Sequence, residues 1–302
     1  MPPTDPEAAG PRGDLTLPMF STVRTYASFV RFSHSVFALP FALVGALLAA
    51  QQSPVTVGRV LWIVAAMVTA RTAAMGFNRL VDARFDALNP RTANRELPRG
   101  ALSRSAAIGL VVASSVAFVA IAGQLGWICL VLSPLALAIV FWYSLAKRYT
   151  TYTQLFLGLA LAVAPVGGWL GAGGGAGWAP WILALATGAW VAGFDIFYAC
   201  QDLDFDRRQG LRSIPARFGV GTSLAIARAL HIVTVIALAA VALVMPLGPW
   251  YLVGVAGVAA LLAYEQTLVR PHDLSRVKEA FDLNGYVGIF YLMATAAAIY
   301  VG

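Results

Sequence analysis

The stretch Asn78-Arg-Leu-Val-Asp82-Ala-Arg-Phe-Asp86 decides how the chain is interpreted. It follows an apolar run, residues 61–77, that is long enough to lie in a membrane. On a helix, Asn78, Asp82 and Asp86 recur every fourth residue, so their side-chain oxygen atoms lie along one face. A carboxylate-bearing face at the end of an apolar helix requires a physical explanation.

A second carboxylate cluster closes another apolar run much later in the chain. It contains Asp195, Asp202 and Asp206, and the last two again have the i, i+4 spacing that aligns side chains on one helical face. One interpretation is a set of ion pairs between these acids and neighbouring arginines at helix ends. Ionisable groups in or beside transmembrane helices are costly, however, and by default they indicate function.

The composition indicates a polytopic membrane protein. Of the 302 residues, 59% are hydrophobic and 12% are charged, with a mean hydropathy of +0.75, whereas a soluble domain has about 25% charged residues. The net charge of +7 is compatible with nucleic-acid binding. The basic residues fall in short loops between apolar runs, as membrane topology requires, so we expect no nucleic-acid partner.

Windows of about twenty residues predict nine membrane spans. Only helices satisfy their own backbone hydrogen bonds in lipid, so the predicted fold class is all-α and integral to the membrane. The first residues, 1–23, are rich in proline and acids and are predicted to form a disordered cytoplasmic tail, with 24–302 as a single transmembrane domain. The spans are predicted at roughly 33–50, 60–81, 105–123, 126–143, 152–171, 179–201, 220–244, 249–269 and 284–301.

The basic residues lie in alternate loops, which predicts the orientation. They precede the first span and follow the second, fourth, sixth and eighth spans, whereas the opposite loops are nearly uncharged. This pattern predicts a cytoplasmic N-terminus in an inner, bacterial-type cell membrane. Both carboxylate clusters close even-numbered spans, so both are predicted on the cytoplasmic side.

The chemistry that suits two such clusters is Mg²⁺ binding. Magnesium takes one or two carboxylates together with phosphate oxygens and water. Carboxylates from both clusters would hold ions against a diphosphate, and basic side chains would contact its remaining oxygens. The metal is required because carboxylates alone would repel a diphosphate.

Three motifs resemble those of the UbiA-type membrane prenyltransferases. The resemblance covers roughly residues 24–302. The motifs are Asn78-x-x-x-Asp82-x-x-x-Asp86 followed by Arg91-Thr-Ala-Asn-Arg95, then Tyr143-x-x-x-Lys147-Arg148, then Asp195-x-x-Tyr198-x-x-x-Asp202-x-x-x-Asp206.

The resemblance implies nine transmembrane helices around a central cavity and the transfer of a polyprenyl group from polyprenyl diphosphate to an aromatic acid. Asp195 and Tyr198 would face the cavity near the reacting carbon and are the predicted catalytic residues. The implied Mg²⁺ ligands are Asp82, Asp86, Asp202 and Asp206. Asn78, a substrate-binding residue, would assist these ligands, and the residues implied to contact the diphosphate are Arg91, Arg95, Tyr143 and Lys147.

The acceptor site is predicted near the start of the first span. Arg31 would pair with the acceptor carboxylate and His34 would contact its hydroxyl group; the alternatives are a topology-setting arginine and an interfacial histidine. Two acceptors remain open, 4-hydroxybenzoate and a hydroxynaphthoate, which correspond to ubiquinone and menaquinone biosynthesis.

The alternative function is a membrane transporter with an ion site at the aspartate clusters. Transporters usually place such groups near the bilayer midplane on interrupted helices. Here the two clusters are predicted at one membrane face, which favours the transferase.

Overall fold

The computed structural model describes residues 25, 26, 29 and 37–301. Within this part the chain is helical apart from loops and one isolated β-bridge between Arg270 and Asp273. The predicted tail, 1–23, and two predicted acceptor contacts, Arg31 and His34, lie outside the described residues. The assignments made to them stay predictions.

Ten α-helices follow one another along the described residues. Eight helical segments are long and apolar enough to cross a membrane, and α1 is a shorter apolar helix, so the chain is an integral membrane protein. The helices are α1 (Leu39–Ala49), α2 (Val57–Leu88), α3 (Arg104–Leu125), α4 (Trp127–Ala146), α5 (Thr153–Gly171), α6 (Ala179–Ala199), α7 (Leu203–Gln209), α8 (Ile214–Val241), α9 (Pro249–Leu268) and α10 (Val277–Tyr300).

The nine predicted spans all correspond to helices, and several helices extend beyond the predicted span. The second predicted span is 60–81, whereas α2 continues to Leu88. The last predicted span is 284–301, whereas α10 begins at Val277. The reason is physical: hydropathy reports where a helix leaves the lipid, while the helix itself continues into its polar end.

Side-chain caps fix the starts of three helices. Thr56, Ser103 and Ser213 each accept a hydrogen bond from a backbone N–H three residues later, at 3.3, 3.1 and 3.3 Å. Such caps satisfy one of the four N–H groups that a helix start leaves without a partner. Ser213 starts α8, which is interrupted at Gly219, where φ is +76°.

The second carboxylate cluster extends over two helices and the turn between them, and Asp202 and Asp206 line the same cavity. A 3₁₀ turn, Cys200–Asp202, separates α6 from α7, and Asp202 itself has φ −97° and ψ 6°. Both carboxylates accept hydrogen bonds from other segments of the chain, Asp202 from Asn89 and Asp206 from Ser213.

Glycines allow α1, α5 and α6 to approach at the centre of the bundle. A Cβ added at Gly168 in α5 would lie 1.9 Å from the Ala42 carbonyl oxygen in α1, and one at Gly45 would lie 2.2 Å from the Pro165 carbonyl oxygen. A Cβ at Gly158 would lie 2.3 Å from the Gly188 carbonyl oxygen in α6. Small residues at such crossings are the usual device for close helix packing in membranes.

We expect Gly168→Ala to destabilise the protein by about 1–3 kcal/mol, because the added methyl group must push α1 and α5 apart. Gly167→Ala is the matched control, since no described heavy atom outside its own helix lies within 4 Å of the added Cβ. Thermal unfolding of the purified protein in detergent measures both. Equal midpoints for the two variants would contradict the close-packing account.

Candidate active site

One cavity of about 280 Å³ lies among the described helices and is lined by both carboxylate clusters. Every predicted site residue that the structure describes lines it. These residues are Asn78, Asp82, Asp86, Arg91, Arg95, Tyr143, Lys147, Asp195, Tyr198, Asp202 and Asp206. Their roles remain predictions, but their convergence on one cavity is a property of the fold.

The first cluster begins with Asp82, whose side chain is only 6% exposed. Its Oδ2 lies 3.1 Å from the Lys147 Nζ and accepts a hydrogen bond of 3.4 Å from the Asn78 amide. Its Oδ1 accepts a hydrogen bond of 3.3 Å from the Arg148 guanidinium. Because Lys147 and Arg148 follow α4, these contacts tie the end of α4 to α2.

Asp86 lies one turn further along α2. Its Oδ1 accepts a 2.6 Å hydrogen bond from the Arg95 guanidinium, and its Oδ2 lies 4.0 Å from Nη1 of Arg79. Among the described residues, this Oδ2 accepts no hydrogen bond, although it is buried. The Thr92 hydroxyl donates to the Asp86 backbone carbonyl at 3.0 Å and so folds the following loop back over the helix end.

That loop reaches the second cluster and joins the two halves of the site. The Asn89 amide donates to the Asp202 Oδ1 at 3.2 Å, and the Arg91 Nε donates to the same oxygen at 3.2 Å. Arg91 also donates to the Asp202 Oδ2 and to the Tyr198 hydroxyl, and its guanidinium carbon lies 4.9 Å from the Tyr198 ring centroid. Burial lowers the pKa of Arg91, but Asp202 and Tyr198 more than offset this effect and raise the pKa above its ordinary value.

The remaining carboxylates of the second cluster have contrasting surroundings. Asp206 accepts a 3.0 Å hydrogen bond from Ser213, the residue that also caps α8. Asp195 lies deeper, in α6, and makes no hydrogen bond or ion pair with any residue in the described part of the chain. Tyr143, from α4, lies in the same region, where Asp195 and Asp82 are its main acidic neighbours.

The cavity also has an apolar wall. Phe37, Phe194 and Phe281 pack against one another with ring centroids 5.2–5.6 Å apart. Further apolar lining residues are Met75, Leu157, Leu161 and Val191. The cavity therefore combines a charged end, suited to a diphosphate, with an aromatic and aliphatic end, suited to a hydrocarbon.

Sequence reasoning missed several lining residues. Arg71 and Arg79 both lie on α2, and Asn89 follows it. Arg71 falls inside the apolar run 61–77, seven residues or about two turns before Asn78. An arginine within a membrane span is itself a signal of function, and this signal was available in the sequence. Asn89 carried no such signal, because only the folded chain brings its amide to Asp202.

The formal charge of the lining bears on metal binding. Its five aspartates are balanced by the side chains of four arginines and one lysine, so the cavity offers no net positive charge to a diphosphate. The buried Oδ2 of Asp86 and the other carboxylate oxygens are hard ligands that suit Mg²⁺. Among the described residues, no group of three or more His, Cys, Asp or Glu side chains forms a metal cage. Substrate oxygens would have to complete the coordination, as is usual for Mg²⁺.

Comparison with known proteins identifies the family of the chain. The model of the UbiA prenyltransferase family matches residues 38–294. A 4-hydroxybenzoate octaprenyltransferase of Vibrio campbellii is 30% identical over 230 residues, covering 76% of this chain and 81% of the relative. One of Citrobacter koseri is 32% identical, covering 80% of this chain and 84% of the relative.

Solved structures show the same fold. The apo structure of a UbiA homologue from Aeropyrum pernix K1 is 38% identical, with a TM-score of 0.80, and covers 88% of this chain and 98% of that one. A UbiA homologue from Archaeoglobus fulgidus, bound to DMAPP and Mg²⁺, is 18% identical, with a TM-score of 0.67 and coverage of 90% and 99%. At that identity the second likeness shows the fold alone.

Proposed function

The chain belongs to the UbiA prenyltransferase family and is a membrane prenyltransferase, and we propose that it transfers a polyprenyl group from its diphosphate to 4-hydroxybenzoate with Mg²⁺. The observation that carries the proposal is the single cavity, which joins two carboxylate clusters, several basic side chains and an apolar wall. The names of the relatives support the acceptor. The match to a prenyltransferase family favours this function over the alternative, a membrane transporter with an ion site.

The diphosphate would occupy the charged end of the cavity. There Asp82, Asp86, Asp202 and Asp206 would hold Mg²⁺, with the Asn78 amide assisting. When bound, Mg²⁺ would neutralise charge on the diphosphate. Lys147, Arg91 and Arg95 now contact the carboxylates. On binding, they would turn to the diphosphate oxygens, and the Tyr143 hydroxyl would donate a hydrogen bond to one of these oxygens.

These donors would lower the barrier to ionisation. As the allylic carbon–oxygen bond breaks, both bonding electrons go to the diphosphate, and fixed cations stabilise the growing negative charge. The aromatic wall formed by Phe37, Phe194 and Phe281 would keep water from the allylic cation. A ring carbon ortho to the acceptor hydroxyl would then form the new carbon–carbon bond.

The ring proton would pass to Asp195. This residue lines the cavity deeper in the membrane than the rest of its cluster, and its carboxylate makes no hydrogen bond or ion pair among the described residues. Both oxygens are therefore available to a proton. Tyr198 has a different role, because its hydroxyl accepts a hydrogen bond from Arg91 and so positions that guanidinium.

The acceptor carboxylate would be bound by Arg71, which lines the cavity on the membrane side of Asn78. The positive charge of Arg71 would hold the carboxylate of the acceptor. The aromatic ring of the acceptor would then lie between Asp195 and the allylic carbon. Arg31 and His34 keep their predicted acceptor contacts as a further proposal, since both lie outside the described residues. The basic residues near the cavity mouth support a cytoplasmic entrance.

Asp202→Ala should reduce prenyl transfer at least about 100-fold, because it removes a metal ligand and the partner that positions Arg91. The measurement is incorporation of radiolabelled prenyl diphosphate into 4-hydroxybenzoate in isolated membranes. Asp204→Ala is the matched control, since Asp204 is exposed on α7 and does not line the cavity. Comparable turnover in both variants would remove Asp202 from the mechanism.

Removal of divalent metal with excess EDTA should stop the transfer, and added Mg²⁺ should restore it. The physical reason is the balanced charge of the cavity, which leaves the diphosphate unneutralised without metal. The binding of prenyl diphosphate, measured by calorimetry, should weaken in parallel. Undiminished turnover and affinity in chelator would refute the metal-assisted site.

Arg71→Met should raise the KM for 4-hydroxybenzoate about 10- to 100-fold and leave the KM for prenyl diphosphate nearly unchanged, since a hydrogen bond to a charged group is lost. Arg59→Met is the control, because Arg59 lies at the other end of α2 and outside the cavity lining. Assays with a hydroxynaphthoate in parallel identify the preferred acceptor. If Arg71→Met raised the KM for the diphosphate instead, the acceptor assignment would be wrong.

A further inference from the structure

A second polar cluster is buried in the described helices, away from the cavity. The Asn284 side chain in α10 donates to the Glu265 Oε1 in α9 at 2.7 Å and to the Ala280 carbonyl at 2.9 Å. Its Oδ1 accepts a 2.6 Å hydrogen bond from the indole N–H of Trp190 in α6. Glu265, Asn284 and Trp190 all have 0% exposure.

This chain of hydrogen bonds ends at the apolar wall of the cavity. The Trp190 ring lies 5.2 Å from the Phe194 ring and 6.4 Å from the Phe37 ring, and both of these phenylalanines line the cavity. Asn284 lies three residues after Phe281, the third aromatic residue of the wall, on the same turn of α10. The hydrogen bonds of Asn284 therefore fix both the Trp190 ring and the rotation of α10 that presents Phe281.

The cluster is also packed tightly on its far side. His231 in α8 shares a 3.0 Å hydrogen bond with Gln266 in α9, and its Nδ1 lies 3.9 Å from the Glu265 Oε2. A Cβ added at Gly193 in α6 would lie 2.4 Å from the His231 ring. Four helices thus meet at one polar contact, which restricts how α6 slides or rotates relative to α9 and α10.

A buried carboxylate in a membrane bundle is costly, and an apolar residue of similar volume would avoid that cost. A carboxyl group at this position accepts a directional hydrogen bond that an apolar residue would not accept. Directional hydrogen bonds select one rotation of each helix, whereas apolar packing tolerates several. The side chains whose positions depend on that rotation are Phe194 on α6 and Phe281 on α10, and Phe37 packs against both.

We propose that the Glu265–Asn284–Trp190 hydrogen-bond chain positions the aromatic wall and thereby determines which prenyl chain lengths the cavity accepts. Glu265, Asn284 and Trp190 are positioning residues, since they act through the three phenylalanines. The inference rests on the proposed function, because it takes the apolar end of the cavity as the prenyl site.

Glu265→Leu removes the acceptor for Asn284, whose amide keeps its bond to the Ala280 carbonyl, so folding is expected to survive. Glu265→Gln keeps an acceptor oxygen in place. Thr295→Val is the matched control, because Thr295 is equally buried on α10 but bonds only its own helix, to the Tyr291 carbonyl. Each purified protein is titrated with geranyl diphosphate and with a long polyprenyl diphosphate in Mg²⁺, without acceptor.

The expected result is a change of about tenfold in the ratio of the two dissociation constants for Glu265→Leu, the scale on which altered apolar pockets discriminate chain length. Glu265→Gln and Thr295→Val should keep the wild-type ratio. If the cluster had only a structural role, Glu265→Leu would lower the stability of the protein and leave the ratio of the dissociation constants unchanged. That result would overturn the proposal.

Trp190→Phe provides a second variant if Glu265→Leu does not fold, since it keeps an aromatic ring and removes the indole N–H. The same shift in ratio is expected, and an unshifted ratio overturns the proposal. Because binding is measured without acceptor, a wild-type protein that binds both diphosphates but prenylates no aromatic acid contradicts the proposed transfer alone. A wild-type protein that binds neither diphosphate overturns the inference as well.

Discussion

The pairing of Asp202 with Asn89 and Arg91 is the contact on which the site depends. Asn89 and Arg91 belong to the loop after α2, whereas Asp202 follows α6, more than a hundred residues later in the chain. This contact links the two carboxylate clusters directly where they line one cavity. The Tyr198 hydroxyl accepts a further hydrogen bond from the guanidinium that joins them.

Charge compensation explains why this arrangement is stable at a membrane. Each carboxylate of the first cluster contacts a cation from another segment, Asp82 through Lys147 and Asp86 through Arg95. Burying one such partner alone would be costly. The same pairs hold the cations where an incoming diphosphate would need them. Binding would therefore exchange partners within a preformed site, with little rearrangement of the bundle.

The sequence predicted much of this site because its motifs are local. The i, i+4 spacing of Asn78, Asp82 and Asp86 fixes a shared face on any helix, and α2 has that face. The sequence could not predict the contact of Asn89 with Asp202, since only the folded loop brings the Asn89 amide to that carboxylate. Nor could it predict the 3₁₀ turn, Cys200–Asp202, that lies between Asp195 and Asp206. The Trp190–Asn284 contact joins α6 and α10 and has no local signature at all.

The central claim is that both carboxylate clusters bind one diphosphate through divalent metal. The most direct measurement is electron paramagnetic resonance with Mn²⁺ in place of Mg²⁺, detecting magnetic coupling between the bound ion and the phosphorus nuclei of a prenyl diphosphate. The account predicts such coupling in the wild-type protein and its loss or weakening in both Asp86→Asn and Asp202→Asn. Coupling that persisted unchanged when either cluster was altered would show that the clusters do not share the ligand, and would contradict the account.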